Sequence, residues 1–387
     1  MTTPVTTGGN RFAQLDSIRA VAAILVVATH CCFWAGVYTR GTWGAATQRF
    51  EIGVAIFFVL SGFLLSRPYL RRARFGTSTD AVSAYALKRA GRILPVYVIT
   101  VVAAFLLLDT NADLGWDRFV LNLTLTDFFV NPQLPFGLTQ MWSLSVEVSF
   151  YIVLPLIGAG LLARKWRPVA TIIGLVTVGL LGIVWLGVTT AHGESLAARW
   201  LPSYALWFAL GIALSVVEID GGASRFTAAL RRWSSDRTAC WLLALGLFLV
   251  ISTPIGGSPL LVAHSASELV MRHLFYGVIA TLIVAPCVFA TSDGAARVLS
   301  HPWFRHLGHT SYALFCSHVI VLELVLNGVG YELFNAPVVP LFLLVLAVSL
   351  VISEILYRVV EKPVIDAVHR RASAVRATAP KATAAKI

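Results

Sequence analysis

Charged residues and long apolar runs are kept apart along this chain, and that segregation decides what it can fold into. Apolar stretches recur at 15–35, 51–67, 88–108, 142–163, 170–190, 200–217, 239–255, 272–291, 310–328 and 338–357, joined by connectors rich in Arg and Lys. A helix needs about 20 predominantly apolar residues to cross the hydrocarbon core of a bilayer, and lipid admits only segments whose backbone groups are satisfied internally. The pattern predicts an all-α polytopic membrane protein of about ten transmembrane helices. Only 13% of the residues are charged, about half of the ~25% typical of a water-exposed fold.

An even number of spans puts both termini on one side. Twenty-four of the thirty Lys and Arg residues fall on that side, whereas Arg40, Arg49, Arg118, Arg199 and Arg272 fall on the other and Arg19 lies inside the first span. The positive-inside rule makes both termini cytoplasmic, in a bacterial-type cytoplasmic membrane. This asymmetry accounts for the net charge of +11. Nucleic acid is excluded as a partner, because no water-exposed basic domain is present to bind it.

Residues 1–10 read as a disordered lead, 11–366 as the transmembrane domain and 367–387 as a basic, disordered cytoplasmic tail. The first span is expected to be retained rather than cleaved, since Arg19 and His30 bracket its apolar run. The connector 109–141 mixes Asp113, Asp117 and Asp127 with Trp116, Phe119 and Phe128, which predicts a segment at the interface, partly re-entrant. Cys31, Cys32, Cys240, Cys287 and Cys316 lack metal-ligand spacing and read as packing residues, so no metal site is expected.

Ionisable groups inside a span are costly, by roughly 2.5–3.5 kcal/mol on insertion scales, and are functional candidates for that reason. Arg19 and His30 are eleven residues apart on the first span, which returns them to one helix face about 16 Å apart along the axis. Singly, each has a bland reading, a snorkelling anchor for Arg19 and an interhelical hydrogen bond for His30; together on one face they favour function. Arg89 and Arg92, at i and i+3, read either as topology control or as a cationic seat for the phosphates of a nucleotide-bearing donor. Glu147, about a turn and a half into the fourth span, is expected at the depth of His30 and in an acid-base pair with it. Trp142 is expected at headgroup level, with Ser143 and Ser145 read equally as packing residues. His318 either lines a cavity or bonds a neighbouring helix, and Glu361 pairs with a nearby Arg or Lys.

The runs LDSIRAVAAILVVATH, GVAIFFVLSGFLL, KRAGRILPVY, WSLSVEVSFYIVLPL, SYALFCSH and VEKPV, in this order over residues 15–363, resemble the acyltransferase-3 family of integral membrane O-acyltransferases. The resemblance implies acyl-CoA as co-substrate, with no permanently bound cofactor, and a hydroxyl-bearing acceptor such as a glycan, glycolipid or macrolide-like secondary metabolite. It implies short acyl chains such as acetyl. Arg19 and His30 are implied as essential residues, with roles for Arg89, Arg92 and the WSLSVE segment that includes Trp142 and Ser143. The chain departs from the family where relatives often carry a second acidic residue followed by a polar one, because it reads Glu147, Val148, Ser149. Some family members append a periplasmic hydrolase-like domain, and this chain is expected to act without one.

The expected mechanism divides the membrane into two layers. Arg19, Arg89 and Arg92 hold the coenzyme phosphates in the inner layer, while His30 and Glu147 form the chemical layer near the outer face. His30 acts there as general base or through an acyl-imidazole. A proton-coupled secondary transporter is the alternative reading, since buried His, Glu and Arg also build proton pathways, but no repeat of the kind transporters show is legible.

Overall fold

The computed structural model describes residues 12–378 apart from 194, 259–263, 291–292 and 333. Among the described residues the regular structure is helical throughout. In chain order the main helices are α1 (Ala13–Trp34), α2 (Ile52–Phe75), α3 (Val82–Leu107), α4 (Trp142–Leu162), α5 (Pro168–Thr190), α6 (Leu201–Asp220), α7 (Arg225–Ser234), α8 (Arg237–Ile251), α9 (Ala266–Phe289), α10 (Pro302–Val329), α11 (Val338–Leu356) and α12 (Lys362–Thr378). Among the described residues nine helices are long and apolar enough to cross a membrane, and the α7–α8 pair, bent by 76°, brings the number to ten. The seventh predicted span is the short α8, which ends at Ile251 because Pro254 opens a separate 3-10 turn.

At the centre lies α2, which packs on α1, α4, α6 and α9 and buries residues on every side. Helices in lipid gain nothing from hiding apolar surface, so close approach of their backbones is what holds them. That approach is close between α2 and α6. A Cβ at Gly62 would lie 2.3 Å from the Phe208 carbonyl oxygen, and one at Gly211 would lie 2.1 Å from that of Val59. Beside this crossing the Phe208 ring stacks on Phe58 at 4.5 Å and on Phe150 at 4.0 Å, tying α6 to α2 and α4.

The connector between α3 and α4 has two parts. Short helices Trp116–Leu123 and Asp127–Val130 lie over the end of the bundle, joined by a forked Arg118–Asp127 contact with both bonds at 2.9 Å. The chain then dips between α3 and α10, burying Leu138 and Met141. There the Gly137 N–H donates to Glu323 Oε1 at 2.9 Å, and Gln140 Nε2 donates to the Cys316 carbonyl at 3.1 Å.

The C-terminal end corrects an expectation. Residues 367–378, read from sequence as disordered tail, continue α12 through Thr378. Val364 and Val368, one turn apart, pack on Gly91 of α3, an apolar contact that the surrounding basic residues hide in the sequence. Residues 379–387 and the predicted lead 1–10 lie outside the described residues. A π-helical turn, Tyr357–Glu361, joins α11 to α12 and leaves the Glu361 carboxylate fully buried, 3.1 Å from Arg92 Nη1.

Two stability predictions follow from these contacts. Gly211→Val pushes α2 and α6 apart and is expected to cost about 3 kcal/mol, read as a lower unfolding temperature of the purified protein in micelles; an unchanged temperature would place the critical crossing elsewhere. Arg92→Ala strands the fully buried Glu361 carboxylate at a cost of about 3 kcal/mol, and most of that loss should return in the Glu361→Met, Arg92→Met double variant. Additive losses in the double variant would show that the two residues do not act as a pair.

Candidate active site

At the end of the bundle that carries the termini, one cavity is lined by Arg19 of α1, Ser61 of α2, Arg89 and Arg92 of α3, and Glu147 and Tyr151 of α4. The i, i+3 spacing of Arg89 and Arg92 turns both toward it, as expected of neighbours on one helix face. The carboxylates here are already engaged. Ser61 Oγ donates to Glu147 Oε1, and Glu361 faces Arg92. The guanidiniums of Arg19 and Arg89 are not: among the described residues neither makes an ion pair, and Arg89 Nε lacks any hydrogen-bond partner. Arg89 rests instead over the Tyr151 ring, 6.0 Å from its centroid. Two unpaired planar forks beside a third guanidinium form a seat for phosphate oxygens.

The roof of this cavity includes Phe57 and Phe315, whose rings meet edge to face at 6.2 Å. The imidazole of His318 lies against Phe315, and His30 lies against His318, with ring centroids 5.9 and 5.1 Å apart respectively. His30 is not among the residues lining the cavity; it sits beyond the aromatic roof. His318 is fully buried, and its Nδ1 lies 2.8 Å from the Phe315 carbonyl, so that nitrogen carries the proton. Its Nε2 is therefore a lone pair, and it faces His30 Nδ1 at 3.1 Å. His30 Nδ1 also lies 2.8 Å from the Val26 carbonyl. Two acceptors around Nδ1 place the proton there and leave His30 Nε2 as the basic nitrogen.

The structure thus separates one expected pair. Glu147 stands with Ser61, Tyr151 and the Arg19 layer, and the nitrogen partner of His30 is His318. The dip at 137–141 explains the correction: α4 starts already inside the bundle, which carries Glu147 deeper than a count from the membrane surface gives. Trp142 is half-buried rather than set at the surface, its ring between Phe128 at 6.1 Å and Tyr204 at 5.3 Å. Ser143 lines the cavity and donates to the Gln140 carbonyl, while Ser145 is buried in packing.

Sequence reading also missed Glu51, at the start of α2. Its Oε1 accepts from Tyr276 at 3.0 Å and from Arg272 at 3.4 Å. An acidic residue opening an apolar run was the available signal. Glu323 was missed as well; it is a buried carboxylate within α10, spent on the Gly137 amide.

The chain is similar to known proteins over nearly its whole length. A family described as an acyltransferase domain matches residues 12–358. The chain is 25% identical to the acyltransferase MdmB of Streptomyces mycarofaciens over 96% of this chain and 95% of that protein. It is 24% identical to the peptidoglycan O-acetyltransferase OatA of Listeria monocytogenes over 91% of this chain and 55% of that longer protein. Nodulation protein 10 of Rhizobium leguminosarum is 26% identical over 44% of this chain and 49% of its own. No solved structure matches. A polytopic helical bundle matched over nearly its whole length by this family belongs to it: the chain is a membrane acyltransferase of the acyltransferase-3 family.

Proposed function

We propose that the protein moves a short acyl group, such as acetyl, from acyl-CoA at the cytoplasmic face to a hydroxyl of a carbohydrate, glycolipid or macrolide-like acceptor at the opposite face of a bacterial cytoplasmic membrane. One observation carries this reading. Two unpaired arginines face a single cavity, and beyond its aromatic roof a histidine is held with its Nε2 lone pair free. The coenzyme phosphates lie on Arg19 and Arg89, with Arg92 adding its charge from the Glu361 pair. The acyl-pantetheine arm runs past Phe57 and Phe315 toward His30.

Chemistry follows from the tautomer. His30 Nε2 takes the proton of the acceptor hydroxyl as its oxygen attacks the thioester carbonyl carbon. The carbon–sulfur bond breaks, and the coenzyme thiolate receives that proton from the imidazolium. His318 Nε2, neutral and accepting from His30 Nδ1–H, holds the ring in place and supports the transient positive charge. A carboxylate does this in serine hydrolase triads; here a second imidazole does it without adding a net charge to the membrane interior.

In purified protein with radiolabelled acetyl-CoA and cell-envelope acceptor, His30→Ala is expected to lower turnover by about 10³-fold, and retained wild-type turnover would refute the mechanism. His318→Phe keeps the packing but removes the lone pair, and is expected to lower kcat while leaving the KM for acyl-CoA unchanged. Arg19→Ala and Arg89→Ala should do the reverse, raising that KM by about tenfold each through a lost charge-assisted hydrogen bond. An unchanged donor KM in both variants would remove the phosphate seat.

A further inference from the structure

At the end of the bundle opposite the termini, a cleft of about 210 Å³ opens between the end of α5, the start of α6 and the start of α9. Its lining includes Thr190, Arg199, Tyr204, His264 and His273. Three polar atoms among these residues have no hydrogen-bond partner among the described residues. His273 Nδ1 is held by the Leu269 carbonyl at 2.9 Å, which leaves Nε2 as a buried, unmatched lone pair. His264 Nε2 accepts from Arg272 Nη2 at 3.1 Å, which leaves Nδ1 as an N–H with nothing to donate to, since the nearest carboxylate oxygen, of Glu268, is 3.9 Å away. The Tyr204 hydroxyl makes no hydrogen bond among the described residues, although the side chain is 9% exposed.

The chemistry of this trio selects its ligand. One atom accepts, one donates and one does both, and hydroxyl groups match all three. An anion would face the His273 lone pair. A cation would face the Arg272 guanidinium and the His264 N–H, and burial together with that guanidinium holds the His264 imidazole below the ordinary histidine range. Arg199 is already committed to the Asn131 and Pro132 carbonyls at 3.0 and 2.8 Å, so it is not a seat for charge. The cleft also has an aromatic wall. His273 stacks on Trp207 at 5.1 Å, and Tyr204 lies 5.3 Å from both His273 and Trp142. Flat apolar faces beside paired donors and acceptors suit a sugar ring, which has a C–H face and a hydroxyl rim.

We propose that this cleft binds the sugar of the acceptor, a neutral hydroxyl-bearing pyranose that lays its C–H face on Tyr204 and donates to His273 Nε2. The proposal rests on the acyltransferase reading. The carboxylate of Glu51 adjoins this cleft, since Arg272, which donates to its Oε1 at 3.4 Å, also donates to His264 Nε2 at 3.1 Å.

The test uses the full chain in lipid nanodiscs without acyl-CoA, with methyl β-D-glucopyranoside and methyl α-L-rhamnopyranoside as probes in saturation-transfer difference NMR. Saturation of ring protons is expected for at least one probe, weakened about fivefold in His273→Phe and in Tyr204→Phe, as for the loss of one neutral hydrogen bond. Thermal unfolding of both variants is followed by tryptophan fluorescence, so that Tyr204→Phe carries the test if His273→Phe does not fold. Absence of saturation in the wild type, or equal saturation in folded variants, overturns the proposal. Acetyl-CoA consumption is measured separately: turnover without sugar binding sinks the cleft alone, whereas sugar binding without turnover sinks the acyltransferase reading and leaves the cleft standing.

Discussion

Lipid supplies no hydrogen-bond partner and almost no screening, so each polar group inside this bundle must be answered by another part of the chain. Most are. Arg67 meets Glu218 at 3.1 Å, Arg92 meets Glu361 at 3.1 Å, and Arg49, fully buried, donates to the Ile251 and Gly257 carbonyls. Glu147 is bonded by Ser61. Arg19 and Arg89 differ in that they face a cavity while, among the described residues, neither makes an ion pair. A protein keeps an unanswered charge in such a place at a cost in stability, and the natural compensation is a ligand of opposite charge that arrives from outside.

Parts of this arrangement were legible in the sequence because they depend on spacing within one helix. The eleven-residue interval from Arg19 to His30 and the three-residue interval from Arg89 to Arg92 give helix faces directly. The span pattern was legible for the same reason, apart from α8, which Pro254 cuts short. What escaped depends on where one element meets another. Glu147 was set at the wrong depth because the dip of Leu138 and Met141 shifts the start of α4, and no periodicity within α4 records that shift. The join of His318 to His30 spans 288 positions; the pairing of Glu361 with an Arg or Lys was legible, and only its choice of Arg92, through the π-helical turn that ends α11, was not. Helix α12 escaped because the contact that holds it to α3 is two valines, Val364 and Val368, fitted to Gly91.

The aromatic roof gives the two layers a physical reason to be separate. A thioester exposed to water near a basic imidazole would be hydrolysed, and a continuous polar channel from Arg19 to His30 would also let protons and ions leak across the membrane. Phe57 and Phe315 stand between the cationic cavity and the histidine pair. Phe58 performs a similar service toward the other face, since it lines the same cavity while its ring lies 5.9 Å from Tyr204 of the outer cleft.

This geometry favours a slender, apolar passage over a hydrated one. In the proposed reaction an acyl-pantetheine arm, narrow and uncharged, would pass between rings that exclude phosphate and bulk water, and the charged part of the donor would stay with the arginines while the reacting carbon reached the imidazole. An acceptor approaching from the opposite face meets the same barrier from its other side. Keeping the histidine pair neutral at rest, with His318 in the place a carboxylate would occupy, suits a site that must remain dry between turnovers, because a buried carboxylate there would need either a proton or a resident cation to sit in that layer.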